Sequence, residues 1–70
     1  MTPKEFKKKL VLRYLGSFID SLEDVCDYIN YDEGGAMELN SDGKMVVDDA
    51  FDLAECMVDY INMKDANFFD

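Results

Sequence analysis

Carboxylates recur at steps of three and four residues in two separate segments of this chain. The first set comprises Asp20, Glu23 and Asp27, and the second comprises Asp52, Glu55 and Asp59. Residues at these steps share one face of an α-helix, so each set would form a line of charges about 5 Å apart. That spacing is of the order of the charge spacing along a nucleic acid strand, which is about 3.4 Å per phosphate. Both sets are therefore candidate contacts to a cationic surface.

Two tyrosines stand beside these carboxylates. Tyr28 follows Asp27 and Tyr60 follows Asp59. Tyrosine is enriched at the centres of protein interfaces because it offers a large contact area at a low entropic cost. We therefore predict Tyr28 and Tyr60 as anchors of the same partner-binding surface. The alternative is that both rings are half-buried packing residues with their hydroxyl groups in water.

The net charge of −9 is unevenly distributed. Residues 1–13 carry five cations and one carboxylate, a net charge of +4, whereas residues 14–70 carry fifteen carboxylates and two lysines, a net charge of −13. The acidic part would repel nucleic acid and anionic lipid headgroups and attract basic protein surfaces. We predict a protein partner, with no direct binding to nucleic acid or membranes. The basic segment is either a second contact surface or the polar face of an amphipathic helix.

Residues 38–49 resemble the twelve-residue calcium loop of EF-hands and dockerins. Oxygen-bearing side chains fall at positions one, three, five and twelve, namely Glu38, Asn40, Asp42 and Asp49. Gly43 stands at position six, where the EF-hand loop turns sharply. The sequence departs from the pattern with Glu at position one, Asp at position twelve and Val46 at position nine. The resemblance implies a calcium-binding module as an alternative function, and an Asp-Gly hairpin is the other interpretation.

Catalytic residues are scarce in this sequence. The chain has no histidine, which is the commonest general base and metal ligand. Cys26 and Cys56 lack basic neighbours and fall on apolar helical positions, which predicts buried thiols in a reducing compartment. We therefore expect a cytoplasmic, non-enzymatic protein that uses no cofactor. The longest apolar runs span only a few residues, so no membrane-spanning helix is expected.

The N-terminal half is predicted to be a long helix. Thr2, Pro3 and Glu5 form a helix start with a capping residue, a proline at the first position and an acidic residue in the first turn. Apolar residues then recur at helical spacing from Leu12 to Ile29. Gly16-Ser17 predicts a kink or a division into two helices. The periodicity ends at Asn30.

The C-terminal half is predicted to contain a hairpin and a second helix. Residues 36–40 and 44–47 flank Asp42-Gly43, a pattern typical of a β-hairpin. Asp48 or Asp49 would cap the last helix. Its predicted apolar face comprises Ala50, Phe51, Ala54, Met57, Val58 and Ile61. The expected fold is a single α+β domain over residues 1–70, with a long or kinked N-terminal helix, a short antiparallel β-hairpin and a C-terminal helix packed on the first.

At the level of protein class, the chain is similar to small phage-encoded decoys such as anti-CRISPR proteins, anti-restriction proteins and uracil-DNA glycosylase inhibitors. The resemblance rests on size, charge and helix content and transfers no site residues. It implies an acidic inhibitor or adaptor that occupies the basic, nucleic-acid-binding groove of a target protein as a DNA mimic. A further alternative is a structural homodimer that uses the Leu12–Ile29 stripe and Phe68-Phe69.

Overall fold

The first helix begins where the sequence predicts. In the computed structural model, which describes residues 1–70, α1 spans Pro3–Asp20. Thr2 Oγ1 accepts a hydrogen bond of 3.1 Å from the backbone N–H of Glu5. The Thr2 hydroxyl also donates to the Glu5 carboxylate at 3.1 Å. Pro3 takes the first helical position, where its missing N–H costs no hydrogen bond. The predicted helix start is confirmed.

The same helix ends ten residues earlier than predicted. It runs through Gly16 without a break and stops at Asp20, so the predicted division into two helices and the predicted end at Asn30 are wrong. The Ser21 hydroxyl donates to the Phe18 carbonyl at 3.0 Å and closes the last turn. A longer helix would carry four carboxylates in its final turns: Asp20, Glu23, Asp24 and Asp27. The negative end of the helix dipole disfavours anions there, and like charges at these spacings repel.

A 3₁₀ turn at Val25–Asp27 leads from α1 into the hairpin. Asp24 Oδ1 accepts a hydrogen bond of 2.9 Å from the Cys26 backbone N–H and begins this turn. Strands β1 (Ile29–Tyr31) and β2 (Met37–Leu39) follow and pair antiparallel. The continuous Leu12–Ile29 stripe predicted from the sequence is therefore divided between a helix, a 3₁₀ turn and a strand.

The hairpin turn lies at Asp32–Ala36, so the predicted turn at Asp42-Gly43 is wrong. Asp32 Oδ1 accepts a hydrogen bond from the Ala36 N–H at 2.9 Å, and the Asp32 N–H donates to the Ala36 carbonyl at 3.0 Å. Gly35 has a φ of 82°, in the left-handed region that favours glycine. Gly35 therefore helps to reverse the chain between the two strands.

Helix α2 spans Ser41–Lys64 and begins seven residues before Asp48. The predicted strand at residues 44–47 and the predicted caps at Asp48 or Asp49 are therefore wrong. Asn40 caps the helix, because its Oδ1 accepts a hydrogen bond of 2.8 Å from the Gly43 N–H. A Cβ atom at Gly43 would lie 2.5 Å from the Tyr28 carbonyl oxygen. Gly43 is therefore needed where α2 passes close to the hairpin.

The two helices pack on each other and run in opposite directions. Phe6, near the start of α1, lies against Phe69, beyond the end of α2, with ring centroids 5.4 Å apart. The buried apolar residues are Val11 of α1 and Ala50, Ala54 and Val58 of α2, as predicted for the last three. Phe51 and Met57 were also predicted on this face but are exposed. The α+β fold with a hairpin and two packed helices is confirmed.

The molecule is elongated and exposes much of its surface. Its extents are 51 × 22 × 17 Å and its radius of gyration is 15.6 Å. A compact domain of this length has a radius of gyration of about 11 Å. Because the buried seam consists of valines and alanines, many larger apolar side chains remain accessible.

Candidate functional site

Four carboxylates form one exposed row along α2, which we call the acidic stripe. It comprises Asp48, Asp52, Glu55 and Asp59. Helical spacing puts this row on the face opposite Ala50 and Ala54, which are both 1% exposed. The row extends from Asp48 to Asp59, or about 16 Å along the axis. Asp48 was missed from the sequence because it was interpreted as a helix cap, although its four-residue step to Asp52 would have revealed it.

The first predicted set of carboxylates does not form a row. Asp20 is the last residue of α1, Glu23 lies in the connection and Asp27 lies in the 3₁₀ turn. Glu23 and Asp27 instead meet Asp24 around a shallow cavity of about 250 Å³. The prediction that these side chains share a helical face is wrong, because α1 stops before it reaches them.

The two predicted tyrosine anchors have different surroundings. Tyr28 is half-buried, and its ring packs edge-on against Phe18 with centroids 5.0 Å apart. Tyr60 is 55% exposed, and the Lys64 Nζ lies 5.3 Å from its ring centroid. Tyr60 therefore offers accessible aromatic surface next to the acidic stripe, whereas much of the Tyr28 ring contributes to packing at the hairpin.

The predicted calcium-binding residues do not form an EF-hand loop. Glu38 lies in β2, Asn40 caps α2, and both Asp42 and Asp49 lie within that helix. Residues 41–49 are helical, so they cannot wrap their oxygen atoms around one ion as the EF-hand loop does. No group of three or more histidine, cysteine, aspartate or glutamate side chains is placed to hold a metal ion.

Both cysteines are free and exposed, which corrects the prediction of buried thiols. Cys26 lies in the 3₁₀ turn, and Cys56 lies on the side of α2 rather than in its buried stripe. A hydrogen bond to the Asp24 carboxylate raises the pKa of the Cys26 thiol. The negative charge of Asp24, desolvation and the negative charge of Asp27 add to this effect, in that order. Since the thiolate is the nucleophile, these carboxylates make Cys26 less reactive.

An apolar groove runs along one side of the helix pair. It is lined by Phe6, Leu10 and Tyr14 of α1 and by Leu53, Met57 and Tyr60 of α2. Three adjoining cavities of about 500, 460 and 510 Å³ make up the groove, and Leu10 lines all three. At its open end Phe69 folds back against Phe6, while Phe68 is 57% exposed. Sequence periodicity did not reveal this groove, because it assigned Met57 to the core.

Comparisons with known proteins identify no relative of this chain. No family model, curated protein or solved structure is significantly similar to the chain. Neither helix contains the long apolar stretch that crossing a bilayer requires. The functional argument therefore rests on the surfaces of the two helices.

Proposed function

We propose that this chain acts by binding a protein that presents a basic surface to the acidic stripe of α2. The observation that carries the proposal is the placement of four exposed carboxylates in one row opposite the buried face of the helix. Like charges at these steps cost a few tenths of a kcal/mol per pair in an isolated helix. A cationic partner would relieve that repulsion.

The partner surface that fits best is a groove that otherwise holds nucleic acid. The row presents negative charge at intervals of about 4.5–6 Å along a rigid helix, a spacing comparable to that of backbone phosphates. Tyr60 adds an exposed aromatic ring beside the row, and aromatic rings are common anchors of protein interfaces. In this proposal the chain is a non-catalytic inhibitor or adaptor that competes with nucleic acid inside the cell.

The test compares capture of proteins from a cell lysate by two charge-matched variants. The first replaces Asp52, Glu55 and Asp59 with the corresponding amides. The control replaces Glu33, Glu38 and Asp70 in the same way, so both variants lose three negative charges away from the buried core. We expect a protein that binds the parent and the control but not the first variant, and that is released by salt or by added nucleic acid.

Association kinetics with the captured protein provide the quantitative measurement. Reversing the three charges of the stripe should slow association about tenfold or more at low salt, because electrostatic steering acts mainly on the association rate. If the stripe variant associates as fast as the parent and the control, the acidic stripe is not the contact surface.

A further inference from the structure

The accessible surface of the chain is too large for a compact monomer of its mass. The surface area is 5655 Å² for a mass of 8.0 kDa. Folded monomers of this mass expose about 4,450 Å², so the excess is about 1,200 Å². A stable protein interface buries about 800 Å² on each partner. The excess is therefore sufficient to cover one interface with a second copy of the chain.

The apolar groove is the concave surface that such a copy would fill. Its central part is lined by Phe6, Leu10, Cys56, Met57, Tyr60 and Ile61, all of which are hydrophobic residues. Leu53 and Tyr60 remain 43% and 55% exposed along its α2 side. Contiguous exposed apolar surface of this kind is typical of protein interfaces. The acidic stripe lies on the outer face of α2, so occupation of the groove leaves its carboxylates accessible. Tyr60 lines the groove and would be covered in the dimer, so only an unpaired chain could use it as an anchor for the basic partner.

Charges at the two sides of the groove determine how a second copy would be oriented. Lys9 and Arg13 line it on the α1 side. Asp49, one helical turn before Leu53, lies at its α2 side. Placing α1 against the α1 of another copy would bring cations together. Placing α1 against the partner's α2 instead brings the cations of one copy close to Asp49 of the other. A twofold axis parallel to the helices produces this contact twice in the dimer.

The register of the helix pair supports this orientation. Val11 packs in one cluster with Ala50 and Ala54, and the helices are antiparallel, so Arg13 lies at nearly the height of Ala50. Asp49 is one residue from that height, about 1.5 Å along the axis, which is within reach of an arginine side chain. The twofold axis preserves heights along the helices, so Arg13 of one copy faces Asp49 of the other.

We propose that two copies of this chain pair through the apolar groove to form an antiparallel four-helix bundle with two Arg13–Asp49 contacts across the interface. In such bundles each helix packs against antiparallel neighbours around a shared apolar core. The pairing is independent of the proposed binding to a basic protein, since it is measured on the purified chain alone. The dimer would present two acidic stripes on its outer surfaces.

Sedimentation equilibrium of the full chain at tens of micromolar tests the pairing. For the parent chain we expect twice the mass of one chain. In Leu53→Asp the dissociation constant should rise at least tenfold, because the new charge would be buried in the interface. The matched control is Phe51→Asp, which lies on the opposite side of α2 and is 58% exposed. This control should leave the dissociation constant unchanged. Circular dichroism verifies that both variants keep their helices.

A charge exchange tests the orientation and does not depend on the folding of Leu53→Asp. Arg13→Asp and Asp49→Arg should each weaken pairing severalfold, and the double variant should recover it. A parent chain that remains monomeric at these concentrations overturns the proposal. Dissociation by Phe51→Asp but not by Leu53→Asp overturns the choice of surface, and failure of the double variant to recover overturns the twofold arrangement.

Discussion

The two regions of this molecule are held together by different interactions. The hairpin end comprises residues 21–43, and the helix pair comprises residues 2–20 and 44–64. At the hairpin end, Asn40 joins the start of α2 to residues 27–28. It caps α2, its Nδ2 donates to the Asp27 carbonyl at 2.7 Å, and its N–H donates to the Tyr28 carbonyl at 3.0 Å. The helix pair instead relies on a narrow seam of small apolar side chains.

This difference shows how a short chain can have a defined fold although many of its apolar side chains stay exposed. Directional hydrogen bonds and a close backbone contact fix the position of the hairpin relative to α2. Alanines in the seam allow the helices to approach closely, but they bury little apolar area of their own. The larger apolar side chains are left at the sides of the helix pair, where another molecule can cover them.

The largest effect is expected from adding a methyl group at Gly43. Its Cβ would lie 2.5 Å from the Tyr28 carbonyl oxygen and 2.9 Å from Leu39 Cδ2. Gly43→Ala should therefore lower the free energy of unfolding by about 1–3 kcal/mol, as for overpacking in a core. Chemical denaturation followed by circular dichroism measures this change.

The control for this prediction lies in the helix pair. A Cβ atom at Gly16 would meet no atom within 4 Å. Gly16→Ala should increase the free energy of unfolding by about 0.5–1 kcal/mol, because alanine is the better helix former. Equal effects at both glycines would contradict the distinction between a tight hairpin end and an open helix pair.

A smaller effect is expected from removing the side chain of Asn40. Asn40→Ala deletes the cap of α2 and the hydrogen bond to Asp27, which should cost about 1–2 kcal/mol. Thr2→Ala removes the corresponding cap of α1, where no distant segment is joined, and should cost about 0.5–1 kcal/mol. Thermal unfolding of the two variants compares them. If Thr2→Ala is more destabilising than Asn40→Ala, Asn40 does not stabilise the contact between α2 and residues 27–28.

The smallest effect concerns the reactivity of the two thiols. Asp24→Asn keeps a capping side chain but removes the carboxylate whose hydrogen bond and negative charge raise the pKa of Cys26. The pKa of Cys26 should fall, so more thiolate should be present at mildly alkaline pH and alkylation by iodoacetamide should become severalfold faster. Cys56 is the internal control, since it is exposed in the other region. Mass spectrometry of the two peptides measures both rates, and equal acceleration at both thiols would contradict the assignment.

Local features of the fold were predictable from sequence, whereas contacts between distant segments were not. Thr2, Pro3 and Glu5 define the start of α1 through neighbouring residues alone. The spacing of Ala50, Ala54 and Val58 identified the buried face of α2. Asp42-Gly43 was misinterpreted as a hairpin turn because the need for glycine there arises from the Tyr28 carbonyl, fifteen residues away.

The same reasoning explains which parts of the candidate site were predictable. Asp52, Glu55 and Asp59 share a face because α2 is continuous through them. Asp20, Glu23 and Asp27 follow the same spacing, but their charges would be disfavoured at the C-terminus of α1. The apolar groove exists because packing between the two helices leaves Leu53 and Tyr60 partly exposed. That exposure is a property of packing, which periodicity does not specify.

The 51 Å length of the molecule also affects how it moves through solvent. A rod-like single chain experiences more friction than a sphere of equal mass, so its elution from a gel-filtration column would imitate that of a heavier compact protein. A bundle of two copies would double the mass and thicken the rod with little lengthening, which brings its axial ratio closer to that of a sphere. Mass and hydrodynamic radius would then increase by very different factors on pairing.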